Sequence, residues 1–132
     1  MLEVINVLVA AVASFAVGAA YYMKLSKPWM DASGVERGDD GQPANAANPM
    51  LYVSTFLLQL IVAGMMRHVF ELANIDTLGK GLVAGLGIGL FFISPWIGIN
   101  NAYVGRPIKL TLIDGGYATI ACAVMGLVLT LF

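Results

Sequence analysis

The chain has 132 residues, of which 59% are hydrophobic and 11% charged, with a mean hydropathy of +0.83 and a net charge of −1. A soluble domain carries about 25% charged residues, so this few cannot cover a globule of this size, and the chain reads as a membrane protein. The near-neutral balance excludes a basic footprint for nucleic acid, and the lone Cys122 can form no intrachain disulfide and reads as a small packing residue.

The first apolar run covers about residues 4–23. No charge interrupts it after Glu3, and about 20 apolar residues are enough to span a bilayer. It does not read as a secretory signal, because its basic residues follow the run rather than precede it. Ala10, Ser14 and Gly18 recur every fourth residue, which puts small side chains in one stripe where another helix can approach. Tyr21 and Tyr22 close the run at the level of an interfacial aromatic belt.

A polar segment, residues 24–49, comes next. Pro28 suits the first turn of a short interfacial helix over 28–35, with Trp29 and Met30 dipping into the headgroups and Gly34 ending it. Asp39 and Asp40 lack the spacing and terminal Glu of a calcium loop, so they read as solvated loop, and no metal is expected. The second run, 50–70, carries Gln59 at its middle, a residue that wants an interhelical hydrogen bond. Arg67, His68 and Glu71 lie at its far end, with His68 and Glu71 spaced to pair on one helical face. Residues 72–80 form a short connection with Asn74, Asp76 and Gly79 as turn or cap residues.

The third run, 81–99, is glycine-rich, and Gly81, Gly85 and Gly89 make a tandem small-residue seam. Pro95 cannot donate to the carbonyl of Phe91, so the helix should kink or loosen there, with Ser94 at hand to satisfy a freed carbonyl. The fourth run, 109–131, carries another seam in Gly115, Thr119, Cys122 and Gly126. The exits of runs one and three look alike, since Lys27-Pro28 and Arg106-Pro107 each put a basic residue before a proline. A parallel internal repeat or ordinary interfacial chemistry explains that match equally well. The expected fold is all-α: one integral membrane domain over 1–132, with four transmembrane helices in an antiparallel bundle and a short interfacial helix after the first.

The stretch Asn100–Tyr117 holds most of the polar groups close to the apolar runs. Asn100, Asn101, the Gly105-Arg106-Pro107 turn, Lys109 and Asp114 with Gly116-Tyr117 stand out, as do Gly18 through Tyr22, Lys27 through Met30, and Gly81, Gly85 and Gly89. On these residues nearly the whole chain resembles a widespread family of small bacterial four-helix membrane proteins known only as a domain of unknown function. Family members usually show an aromatic-Tyr-Ser-Pro sequence after the first glycine, whereas here Tyr21-Tyr22 leads into Met23-Lys24. The resemblance implies a four-helix membrane fold and no activity.

A carboxylate on a membrane segment costs free energy, so Asp114 needs a partner or a purpose. Arg106, Lys27 and the pair Asn100 and Asn101 are its candidate partners, and with Tyr117 they form the candidate polar cluster. Gly81, Gly85, Gly89, Gly115 and Gly126 are the candidate packing residues. No paired carboxylate, zinc motif, activated nucleophile or phosphate loop is present, so no enzyme activity and no cofactor are expected. The lipid bilayer is the expected partner, together with further copies of the chain or other membrane subunits packed through the small-residue seams. The alternative is a small transporter or channel for a proton, cation or small solute, using Asp114 and the break at Pro95. Lys24, Lys27, Arg37, Arg106 and Lys109 outnumber Arg67 and Lys80, which predicts an inner-membrane topology with loops 24–49 and 100–109 cytoplasmic and both termini periplasmic.

Overall fold

The computed structural model describes residues 1–132; its regular elements are all helices, and the loop 34–48 holds one isolated bridge between Arg37 and Pro43. Four helices are long and apolar enough to cross a membrane. They are α1 (Leu2–Lys24), α3 (Pro49–Leu72), the composite Leu78–Tyr103, and α6 (Ile108–Leu129). The composite span consists of α4 (Leu78–Gly87), a π-helical segment Ile88–Ile93, and α5 (Ser94–Tyr103). A short helix α2 (Ser26–Ser33) follows α1 and ends at Gly34, whose φ of 66° is the left-handed conformation that glycine adopts without strain.

Helix ends are closed by their own sequences. Asn48 caps α3 by accepting from the Met50 N–H at 3.0 Å, and Pro49 fills the first position, where no donor is needed. At the end of α5 the Gly105 N–H bonds Ala102 O and the Arg106 N–H bonds Asn101 O, with Gly105 at φ 74°. That is a Schellman closure, and Pro107 then prevents the helix from continuing. The exits of the first and third spans therefore differ: one leads into α2, the other turns at once into α6. Proline leaves its mark inside the third span too. The chain widens into a π turn just before Pro95, where the Ser94 N–H reaches Gly89 O. The Ser94 hydroxyl lies 2.7 Å from the same carbonyl, so the loosened turn keeps its backbone satisfied.

The bundle is centred on α6. Half of its most apolar stretch is buried, against 11% for α3 and for the third span. One face of α6 packs on α1, the opposite face on the third span, and α3 rests mainly against α1. The buried core joins Ala10 and Ala11 of α1, Ala63, Met66 and Phe70 of α3, and Cys122, Met125 and Leu129 of α6. Residues 49–62 of α3 contain no buried side chain, so its first half leans outward.

Close approach of the third span to α6 depends on glycine. A Cβ on Gly85 would collide with the Cys122 carbonyl, one on Gly81 with the Gly126 carbonyl and Thr130, and one on Gly89 with the Ala118 carbonyl and the Thr119 Cα. Lipid tails are as apolar as the helices, so such interdigitation, rather than a hydrophobic force, holds membrane helices together. Gly87 faces open space instead. Two outcomes follow for heat denaturation in detergent. Gly85→Leu should lose about 1–3 kcal/mol through overpacking. Gly87→Ala should be neutral or slightly stabilising, because alanine is the better helix former by about 1 kcal/mol. Equal thermal midpoints for Gly85→Leu and the parent chain would contradict this packing.

The loop after α2 is fastened by Arg37, whose Nη2 lies 2.6 Å from Asp31 Oδ1. This hydrogen bond holds the Asp31 carboxyl below its usual range, helped by the nearby charges of Lys27 and Lys109. A depressed carboxyl contributes fully above its unfolded pKa and loses its contribution as the pH falls through its folded value. An NMR titration of Asp31 should therefore show a low midpoint that moves upward in Arg37→Gln.

Candidate functional site

Asp114 sits six residues into α6, about 9 Å along the axis from Ile108, at the end of the bundle that carries α2. Its Oδ1 accepts two hydrogen bonds, from the Tyr22 hydroxyl at 2.8 Å and from the Trp29 indole N–H at 3.1 Å. One donor belongs to the last turns of α1 and the other to α2. The carboxylate therefore ties three helices together without a cation: neither Arg106 nor Lys27 lies within ion-pair distance of it.

A second set of polar groups continues from there toward the middle of the membrane. The Tyr22 and Tyr117 rings meet edge to face with centroids 5.3 Å apart. The Tyr117 hydroxyl donates to Ser14 O at 2.7 Å and accepts from Gln59 Nε2 at 2.7 Å. Gln59 Oε1 in turn lies 2.9 Å from the Ser14 hydroxyl. Gly18 makes room for this arrangement, since a Cβ there would meet the Tyr117 ring at 2.5–3.0 Å. Tyr21 completes the group by donating to Ile113 O at 2.6 Å.

Beyond Ser14 the interior is apolar for about 12 Å along α1, past Ala10 and Ala11, until Asn6 is reached. There Asn6 donates to Val128 O at 3.0 Å and Phe132 O at 3.2 Å, and accepts from Arg67 Nη1 at 3.0 Å. Arg67 also reaches Leu129 O at 3.4 Å. The last carbonyls of a helix have no partner within it, so Asn6 and Arg67 act as a cap supplied by neighbouring helices. A cavity of about 440 Å³ opens beside them, lined among others by Arg67, Phe70, Glu71 and Leu129.

The candidate cluster drawn from sequence is thus only partly assembled. Asp114 and Tyr117 are joined through Tyr22. Asn100 is exposed and makes no side-chain hydrogen bond, while Asn101 donates to Thr111 at 3.1 Å and fastens α5 to α6. Arg106 and Lys27 are exposed, because the Schellman turn aims the chain at Arg106 out of the bundle and Lys27 lies on the outer side of α2. Tyr22, Trp29, Gln59 and Ser14 are the members that the sequence did not group with Asp114. Tyr22, Trp29 and Ser14 read from sequence as belt, headgroup or packing positions, and Gln59 as a residue seeking an interhelical hydrogen bond of unknown partner. Glu71 pairs with Arg67 at 3.6 Å, and His68 is left exposed. Gly115 accommodates Ser94, which lies 2.9 Å from Gly115 O, and Gly126 lies against Gly81.

A family model described as a protein of unknown function, DUF1761, matches residues 5–130. The chain belongs to the DUF1761 family. The match takes in all four spans, so the Asp114 site, the glycine seam and the Asn6–Arg67 cap all fall inside the DUF1761 domain. No curated protein and no solved structure matches the chain.

Removing one donor from Asp114 tests its place in the bundle. Tyr22→Phe keeps the ring and leaves the carboxylate only Trp29. Hydrogen bonds to charged groups contribute about 1.5–3 kcal/mol, so thermal stability in detergent should drop by a few degrees or more. Tyr103→Phe, exposed at the end of α5 and free of side-chain hydrogen bonds, should leave the midpoint within a degree or so of the parent.

Proposed function

We propose that this protein is a non-enzymatic, multi-pass protein of the bacterial inner membrane that works by packing, either with further copies of itself or as an accessory subunit of a larger membrane assembly. One observation carries this reading. Where α1, α3 and α6 meet, the polar groups form two separate clusters, each bonded largely within itself, with the apolar layer of Ala10, Ala11, Ala63, Met66, Cys122 and Met125 between them. A conducting path needs ionisable or polar groups lining a wet route from face to face, and this layer interrupts it.

The surface offered to partners is not the one the small-residue seams suggested. Gly81, Gly85 and Gly89 are consumed against α6, and Gly18 against Tyr117. Among the outer faces that remain, α3 and the third span expose Leu57, Leu58, Ile61, Phe91, Phe92 and Trp96. The excess of Lys and Arg in loops 24–49 and 100–109 supports a cytoplasmic position for α2 and the Asp114 end, with both termini periplasmic.

A transport role is the second reading, favoured by the polar chain that runs from Asp114 as far as Ser14. Two measurements separate the readings. Light scattering of the protein purified in mild detergent should give more than one chain per particle, or co-purifying membrane subunits. Liposomes containing it should show no proton or cation flux above empty liposomes. A monomer whose flux disappears in Asp114→Asn would instead establish transport. A reporter fused after Phe132 should be active on the periplasmic side, and cytoplasmic activity would reverse the topology.

A further inference from the structure

At the end of the bundle opposite Asp114, the last turns of α3 and α6 and the connection into α4 border the cavity of about 440 Å³. It lies where these segments leave the apolar spans, which is the level of the phospholipid headgroups. Its walls are of two kinds. Phe70, Ile75 and Leu129 are apolar, whereas Arg67, Glu71 and Asp76 are charged.

The charged groups are unequally satisfied. Asp76 is held by Lys80 at 3.0 Å, and the same ammonium reaches Asn74 O at 3.3 Å. Arg67 is short of partners. Its Nη1 donates to Asn6 Oδ1 at 3.0 Å and reaches Leu129 O at 3.4 Å. Its Nε is the one buried side-chain atom of the chain without a partner. Its Nη2 has Glu71 Oε1 at 3.6 Å, too far for a hydrogen bond. The carboxylate of Glu71 is thus close to a cation yet accepts no hydrogen bond from it.

A buried donor left open is costly, and a guanidinium gains most from an anion that accepts its N–H groups. An anion alone would be repelled by Glu71, which stands beside the same guanidinium. A cation alone would be repelled by Arg67. A metal ion finds no set of three ligating side chains here. A group of both signs answers both residues, since it enters a pair that is loosely closed to begin with.

We propose that this cavity binds a zwitterionic phosphoethanolamine group, with its phosphate on Arg67 Nη2 and its primary ammonium on Glu71. Two sources carry this chemistry. One is the headgroup of phosphatidylethanolamine, with its glycerol end against Phe70, Ile75 and Leu129. The other is free phosphoethanolamine entering from the aqueous side. The site is independent of whether the protein works as an oligomer.

Native mass spectrometry of the delipidated protein in mild detergent reads the occupancy. Phosphatidylethanolamine should be retained at one molecule per chain. Phosphatidylglycerol, which has the phosphate but no ammonium, should bind about tenfold more weakly, the loss of one hydrogen bond between charged groups. Phosphatidylcholine, whose ammonium has no N–H to donate, should be weakened likewise. Glu71→Gln should erase the preference for phosphatidylethanolamine. Glu71 is more than half exposed, so this variant keeps the fold. Free phosphoethanolamine identifies the source. Displacement of the lipid at equal concentration assigns the site to the soluble compound, and undisturbed retention assigns it to the lipid. The proposal is overturned if neither compound binds, if phosphatidylglycerol or phosphatidylcholine is retained as well as phosphatidylethanolamine, or if the preference survives in Glu71→Gln.

Discussion

Backbone-to-backbone contact between the third span and α6 is the constraint on which the structure depends. In lipid there is little hydrophobic gain from bringing two helices together, so association rests on how closely their surfaces fit. Gly81, Gly85 and Gly89 remove the side chains that would hold the third span off, and Gly126 does the same from the other side. The π turn takes in Gly89, the last glycine of the seam, and Ser94 at its end reaches across to Gly115 O at 2.9 Å. Close packing and the loosened turn before Pro95 therefore belong to one interface. The glycines bring the helices together, and α6 helps to satisfy the turn that the proline disturbs.

The opposite flank of α6 works by other means. Facing α1, the contact is made of Tyr21, Tyr22 and Tyr117, with hydroxyls aimed at backbone carbonyls, at Gln59 and at Asp114. Small residues on α1 serve the aromatics here: Gly18 exists as the space for a tyrosine ring, and Ser14 supplies a carbonyl as well as a hydroxyl. At the far end the last carbonyls of α6 are met by Asn6 and Arg67, from two different helices. α6 is thus held by shape on one side and by directed hydrogen bonds on the other.

Much of this was legible in the sequence. Uninterrupted apolar length gave the four spans, Gly34 and the Gly105-Arg106-Pro107 turn gave helix ends, and the four-residue glycine spacing marked a contact face. Gln59 announced an interhelical bond by its position alone. The partner of Asp114 was not legible. Charge complementarity along the chain pointed to Arg106 and Lys27, whereas the actual donors are neutral and lie about 90 residues away in sequence. Aromatic residues at a membrane edge look the same whether they face lipid or a carboxylate, so Tyr22 and Trp29 read as belt residues. The use of the seams was hidden for a related reason. Spacing shows that a helix has a small-residue face, but not whether the helix that fills it belongs to the same chain.

The central position of α6 bears on how the chain comes to be assembled. α6 is synthesised after the three helices it organises, and α1 and the third span meet chiefly through it. Until it enters the bilayer, the glycine seam has nothing to lie against, and the Ser14 carbonyl and the Gln59 amide N–H lack the Tyr117 hydroxyl, although Ser14 and Gln59 already bond each other. Of the earlier spans, α1 and α3 share a direct contact, whereas the third span packs on α6. Assembly in that sense has two stages: α1 and α3 can pair first, and the third span is joined to them only through α6.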